Sequence, residues 1–358
     1  MSSKKHAETG KRIDSFGYAA LKEGGTLEPF RFKRRQLGPK DILIDIEYCG
    51  ICHSDIHEVK GEWGRSRYPI VPGHEIVGRV SKVGSAVKKF SVGEKAGVGC
   101  MVGSCGKCEA CKAGEEYDCA KGPVWTYGSD EKSIGGRTYG GYSNNIVVDE
   151  GFVLKISNKV DMASTAPLLC AGTTTYSPLK YWKAGPGQKV GVVGLGGLGH
   201  VAVKLASAMG ADVTVFTTSK NKVKDALRLG AKRAIVVSDK KAMATAIRSF
   251  DLIVDTASAV HDVDLFLSLL RRNGKMALVG LPSKPLSVAP FSLVSGHHVL
   301  AGSGLGGIRD TQEMLDFCAK KGISADIELI PVQKVNEAYG RVVKGDVKYR
   351  FVIDMSTL

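Results

Sequence analysis

No stretch of this chain approaches the roughly 20 consecutive apolar residues that a membrane-spanning helix requires, and Met1 to Lys11 lacks the apolar core of a secretory signal. Internal repeats and low-complexity segments are missing as well. Long basic runs are missing too, although Lys and Arg outnumber Asp and Glu by 50 to 36; Lys33-Arg34-Arg35 is the longest. A formal charge of +14 scattered in ones and twos argues against a nucleic-acid or membrane partner. It suits a solvated surface that attracts an anionic cofactor. These absences predict a cytoplasmic protein. In that reducing setting the nine cysteines read as metal ligands or buried thiols, not disulfides.

A length of 358 residues suggests two domains, and the texture of the chain changes once. Residues 1 to about 12 are polar and expected to fray. Asp41 to Cys49 alternates like a half-buried strand, and short strands follow at Ile70 to Gly73, Ile76 to Val80, Gly97 to Gly99 and Asn145 to Val148. After Met162, six apolar runs recur at the spacing of strand-helix units: Lys189 to Gly194, Asp212 to Phe216, Ala234 to Val237, Asp251 to Asp255, Lys275 to Gly280 and His298 to Ala301. The expected fold class is therefore α/β, a β-rich unit followed by a doubly wound parallel sheet. An amphipathic helix near Thr311 to Lys320 and a closing strand, Tyr349 to Asp354, complete the chain.

Three groups of residues carry chemistry. Gly194-Leu-Gly196-Gly197-Leu198-Gly199 follows one expected strand and opens a helical pattern, His200 to Met209, which is the setting of a dinucleotide loop. There Gly194 allows the tight turn, Gly196 close approach of a pyrophosphate, and Gly199 close packing of helix on strand. No acid follows the next strand, where NAD-binding folds grip both ribose hydroxyls. Thr218, Ser219 and Lys222, or Lys220 if the loop turns otherwise, instead suit the 2′-phosphate of NADP(H). Secondly, Cys105, Cys108, Cys111 and Cys119 supply four thiols within fifteen residues, enough for a closed, structural zinc site. Thirdly, Cys52, His74 with Glu75, and Cys170 are dispersed. Together they offer two thiolates and an imidazole, leaving a fourth zinc position open.

With Cys49-Gly-Ile-Cys52-His-Ser-Asp55-Ile-His57 and Pro72-Gly-His74-Glu75 added, the chain resembles the medium-chain zinc alcohol dehydrogenases. Within them it is similar to the cinnamyl alcohol dehydrogenase branch and its bacterial aldehyde reductase relatives. The resemblance runs from about residue 14 to the C-terminus, including Tyr349-Arg350-Phe351. It implies a GroES-like catalytic domain, residues 1–164 and 306–358, around a Rossmann NADP-binding domain, residues 165–305. It implies two zincs per chain, a homodimer, and Cys52, His74 and Cys170 as catalytic ligands. Glu75 would approach the metal when substrate leaves, and Asp55 would orient His74.

The reaction so implied is hydride transfer between NADP(H) and a primary alcohol/aldehyde pair, aromatic or medium aliphatic, with zinc acting as a Lewis acid. Ser54 and His57 would relay the proton through the cofactor ribose, unless they only cap a helix and face solvent. His53 would face the pyrophosphate, with Arg350 also on the cofactor. Trp63 and Trp125 would wall an apolar pocket, or else belong to the core. Glu94 stands where relatives often have Asp, and the loop Trp125 to Gly141 looks individual. Two rivals remain: an NAD-dependent polyol or secondary-alcohol dehydrogenase, and a silent nucleotide- or RNA-binding protein that keeps only the four-thiol zinc.

Overall fold

The computed structural model describes residues 12–64, 66–131, 136–282 and 284–358. The expected frayed tail therefore lies outside the described residues as far as residue 11, as does the 132–135 part of the individual loop. The first half builds a β-rich unit. Strand β1 (Ile13–Ala20) pairs antiparallel with β2 (Leu27–Arg34). Strand β3 (Asp41–Gly50) runs into a short helix, α1 (His53–Val59), followed by β4 (Ile76–Val83), β5 (Lys95–Val98), β6 (Asn145–Asp149) and β7 (Leu154–Lys155).

Two expectations change here. β3 is not half-buried: only Asp45 is exposed along it, because β4 covers one edge while β6 takes Asp41 to Asp45 on the other and both faces are packed. Ile70 to Gly73 is not a strand. Ile70 makes one isolated bridge to Ala20, and then Pro72, which lacks an N–H, and Gly73, at φ +101°, turn the chain.

A helix, α2 (Ala171–Tyr181), leads into the second sheet. Its strands are β8 (Lys189–Val193), β9 (Asp212–Thr217), β10 (Arg233–Val236), β11 (Phe250–Asp255), β12 (Leu270–Leu278) and β13 (Val299–Gly302). They lie in the order β10-β9-β8-β11-β12-β13, all parallel. Continuous burial along β8 and β11 follows from helices covering both faces. The strand order reverses at β8, whose C-terminal end opens into helix α3 (Gly199–Ala208); such a reversal leaves a crevice for ligand.

The last segment returns to the first sheet. Helix α4 (Ile308–Lys321) buries Thr311, Met314, Leu315 and Cys318, one stripe at helical spacing, and ends on Gly322 in the left-handed conformation. Strand β14 (Ile327–Pro331) pairs with β15 (Arg350–Asp354), which inserts against Tyr48 to Gly50 of β3. The C-terminus thus brings Arg350 beside the end of β3, next to Cys52. Among the described residues no helix is long and apolar enough to cross a membrane.

Candidate active site and metal centres

Cys52 sits at the N-terminal boundary of α1, where Asp55 caps the helix by accepting the Cys52 backbone N–H at 2.8 Å. Gly73 precedes His74 because nothing larger fits: a β-carbon there would lie 2.6 Å from the Tyr142 ring and 2.7 Å from Cys49 Sγ. Cys170 arrives from the other side, at the start of α2. These turns bring Cys52, His74, Glu75 and Cys170 together, all buried, with ligand atoms within 4.8 Å of one another. The two sulfurs are 3.9 Å apart; two thiolates about 2.3 Å from one tetrahedral zinc are separated by about 3.8 Å. The hydrogen bond with Cys170, and then the charge of Arg350, hold the Cys52 thiol well below its ordinary range in spite of burial.

Around this cluster the polar groups are ordered. Asp55 accepts from His74 Nδ1 at 3.0 Å, from the Gly73 N–H at 3.1 Å and from the Tyr142 hydroxyl at 3.3 Å, so His74 presents Nε2 to the sulfurs. One oxygen of Glu75 pairs with Arg350. The other is buried and has no partner among the described residues, which fits an oxygen held in reserve beside a cation. Burial pushes the Glu75 carboxyl well above the usual range, with the Arg350 charge pulling the other way.

Ser54 Oγ lies 3.6 Å from Cys52 Sγ. His57, one turn along α1, bonds Glu62 through Nδ1, and its ring lies 5.1 Å from that of Trp63 and 5.4 Å from that of His53. Trp125 is half-buried on a short strand and meets Tyr117 edge-on at 5.9 Å.

The four-thiol lobe forms a second cluster, Cys105, Cys108, Cys111 and Cys119, also within 4.8 Å. Backbone N–H groups of Lys107 and Cys108 point at Cys105 Sγ and lower its pKa to about 6, which prepares a thiolate for a cation. With all four donors from thiols and no position left open, this site suits a structural zinc. The lobe is anchored to α4: Glu116 accepts the Ile308 N–H at 3.0 Å, and Arg309 donates to the Ala113 carbonyl at 2.7 Å.

At the end of β8 the glycine loop closes on itself. Gly194 has φ +86°, and a β-carbon on Gly199 would stand 2.2 Å from the Gly194 carbonyl oxygen, so Gly199 must be glycine. Gly196 faces open space, whereas the guanidinium of Arg350 lies within 2.8 Å of where a Gly197 β-carbon would be. Leu198 precedes the helix. After β9, Thr218 is exposed and Ser219 half-buried. Between the two candidate lysines the fold discriminates: Lys220 is exposed, but Lys222 folds back and donates to the Leu195 carbonyl at 2.9 Å.

Residues 38–158 match the alcohol dehydrogenase GroES-like domain family and residues 197–320 the zinc-binding dehydrogenase family. A mannitol dehydrogenase from Petroselinum crispum is 55% identical over 332 residues, covering 92% of this chain and 98% of its own. Cinnamyl alcohol dehydrogenase 2 from Rauvolfia serpentina is 52% identical over 353 residues, 98% of each chain. The chain belongs to the zinc-dependent medium-chain alcohol dehydrogenases. A solved structure of CAD from Helicobacter pylori complexed with NADP(H) superposes with a TM-score of 0.91, at 43% identity, over 97% of this chain and 99% of that one.

In this dehydrogenase several residues of the site escape a reading by sequence. Cys100 hydrogen-bonds Cys170, Tyr127 packs 5.8 Å from the His74 ring, and Tyr339 bonds the Tyr142 hydroxyl at 3.4 Å behind Asp55. None belongs to a spaced motif; only the fold brings them to Cys170, His74 and Asp55. His200 was legible only as part of a helix, although a histidine in the first turn after the glycines is an odd choice for a buried position.

Proposed function

We propose that this dehydrogenase transfers a hydride between NADP(H) and a primary alcohol/aldehyde pair with an aromatic or medium aliphatic side chain. The observation that carries the reading is the convergence of Cys52, His74 and Cys170 beside a glycine loop, with Arg350 against both. Cys52, His74 and Cys170 would hold the zinc, which when bound would supply a Lewis acid for the substrate oxygen, with NADP(H) as the hydride carrier. Asp55 fixes the His74 ring, and Glu75 offers a reserve oxygen. Ser54 and His57 would carry the substrate proton outward, His57 using Nε2 because Nδ1 is engaged by Glu62. His53 faces the pyrophosphate; Ser219, Thr218 and Lys222 bind the 2′-phosphate; Trp63 and Trp125 wall the pocket.

We assign residues 1–164 and 306–358 to the catalytic domain and 165–305 to the cofactor domain, in the cytoplasm. Strand β13 ends its sheet and pairs only with β12 among the described strands. Leu281, Phe291, Val294 and Val299 are exposed near it, so a second copy joined edge to edge there gives a homodimer.

A polyol, as in the name of the parsley relative, is the competing substrate class. Following loss of reduced-nicotinamide absorbance with cinnamaldehyde, hexanal and fructose separates the two. Preference for the apolar aldehydes with NADPH supports the proposal, and preference for fructose with NADH overturns it.

A further inference from the structure

His200 takes no part in the chemistry above, yet it is the most buried of the described histidines, at 0% exposure. Its Nδ1 lies 3.1 Å from the Gly196 carbonyl oxygen, which also accepts the His200 backbone N–H at 3.0 Å. Its Nε2 accepts the Asp326 backbone N–H at 3.2 Å. These partners fix one tautomer: a carbonyl requires N–H at Nδ1, and an N–H requires a lone pair at Nε2. One face of the ring stacks on Tyr349, 4.9 Å between centroids at 15°.

The groups on the far side belong to the segment that enters the first sheet. Tyr349 and Arg350 both donate backbone N–H groups to the Asp326 carbonyl. The Tyr349 hydroxyl reaches Asp225 at 3.0 Å, and the Asp326 carboxylate takes Lys204 and Arg228. In a planar trans peptide the carbonyl of one residue and the N–H of the next point in opposite directions. Pinning the Gly196 carbonyl on His200 therefore turns the Gly197 N–H away from His200; Arg350 lies within 2.8 Å of where a Gly197 β-carbon would be.

We propose that His200 is a positioning residue for the cofactor. It sets the Gly196–Gly197 peptide so that the Gly197 N–H meets the pyrophosphate, and it ties that peptide through Asp326 to the segment that seats Arg350. This rests on the reading of Gly194 to Gly199 as the pyrophosphate loop.

The test is the dissociation constant for NADPH, read by protein fluorescence, in wild type, His200→Leu, His200→Asn and Gly199→Ala. Loss of one or two hydrogen bonds predicts a Kd about tenfold higher in His200→Leu, with two zincs retained and KM for NADPH rising more than kcat falls. The side-chain amide of His200→Asn can replace Nδ1 and should recover most of the affinity. In wild type, NADPH should slow hydrogen exchange at the Asp326 amide, a readout that needs no variant to fold. A His200→Leu protein that melts lower but binds NADPH within twofold of wild type overturns the proposal. So does His200→Asn binding as weakly as His200→Leu, or unchanged exchange at Asp326. If Gly199→Ala binds NADPH normally, the loop reading itself falls; if it loses binding while His200→Leu does not, only the role of His200 falls.

Discussion

Arg350 and Glu75 form a buried ion pair between the Cys52, His74 and Cys170 cluster and the glycine loop. Removing one partner of such a pair generally costs about 3–5 kcal/mol. Arg350→Met should therefore melt lower than wild type. Adding Glu75→Gln should restore part of the loss. Additive losses in the double variant would show that the two side chains are not coupled.

The four-thiol lobe should matter for stability more than for chemistry. Cys111→Ser removes one of four donors, and because structural zinc binding is itself folding free energy, we expect the melting temperature to fall on the order of 10 °C. Differential scanning calorimetry beside zinc analysis checks this. An unchanged midpoint with one zinc lost would remove the structural role.

His200 gives the fold a pH dependence of known sign. Burial, then the Lys204 charge, lowers its pKa to about 3 in the folded protein, with the Gly196 carbonyl and Asp326 opposing and Arg350 adding to the effect; an unfolded histidine titrates near 6.5. The unfolded chain therefore binds a proton that the folded one refuses, and stability is lost as pH falls from about 6.5 towards 3. Thermal melts across that window should fall more steeply in wild type than in His200→Asn. Parallel curves would mean that His200 is not held neutral.

Cofactor choice rests on Thr218 to Lys222, a stretch without Asp or Glu. Charged hydrogen bonds contribute roughly 1.5 to 3 kcal/mol each, so two contacts to a 2′-phosphate predict a preference of about a hundredfold or more. Comparison of kcat/KM for NADPH and NADH should show this in wild type, and Ser219→Asp should lose NADPH far more than NADH. Equal efficiency with both cofactors in wild type contradicts the reading of this loop without touching the family.

Much of this was legible because local rules suffice for it. Six apolar runs at regular spacing specify a parallel sheet, and glycines between strand and helix mark its ligand end. Long-range packing governs the rest. β3 is paired along both edges, by β4 on one and by the distant β6 and β15 on the other, which places it inside the sheet, so its apparent alternation misleads. Ile70 to Gly73 has the composition of a strand, but a backbone turn at Gly73 is needed to aim His74. The choice between Lys220 and Lys222 depends on a single 3-10 turn, and the tie from His200 to Asp326 spans 126 positions, beyond any local pattern.

We assign to Cys52, His74 and Cys170 an open zinc site that is required for turnover and separate from the four-thiol site. It is tested most directly by Cys52→Ser, purified and assayed for zinc per chain together with NADPH-dependent aldehyde reduction. One zinc instead of two, a folded protein and abolished turnover are the expected result. Two zincs per chain, or wild-type turnover with that zinc verified absent, would contradict it.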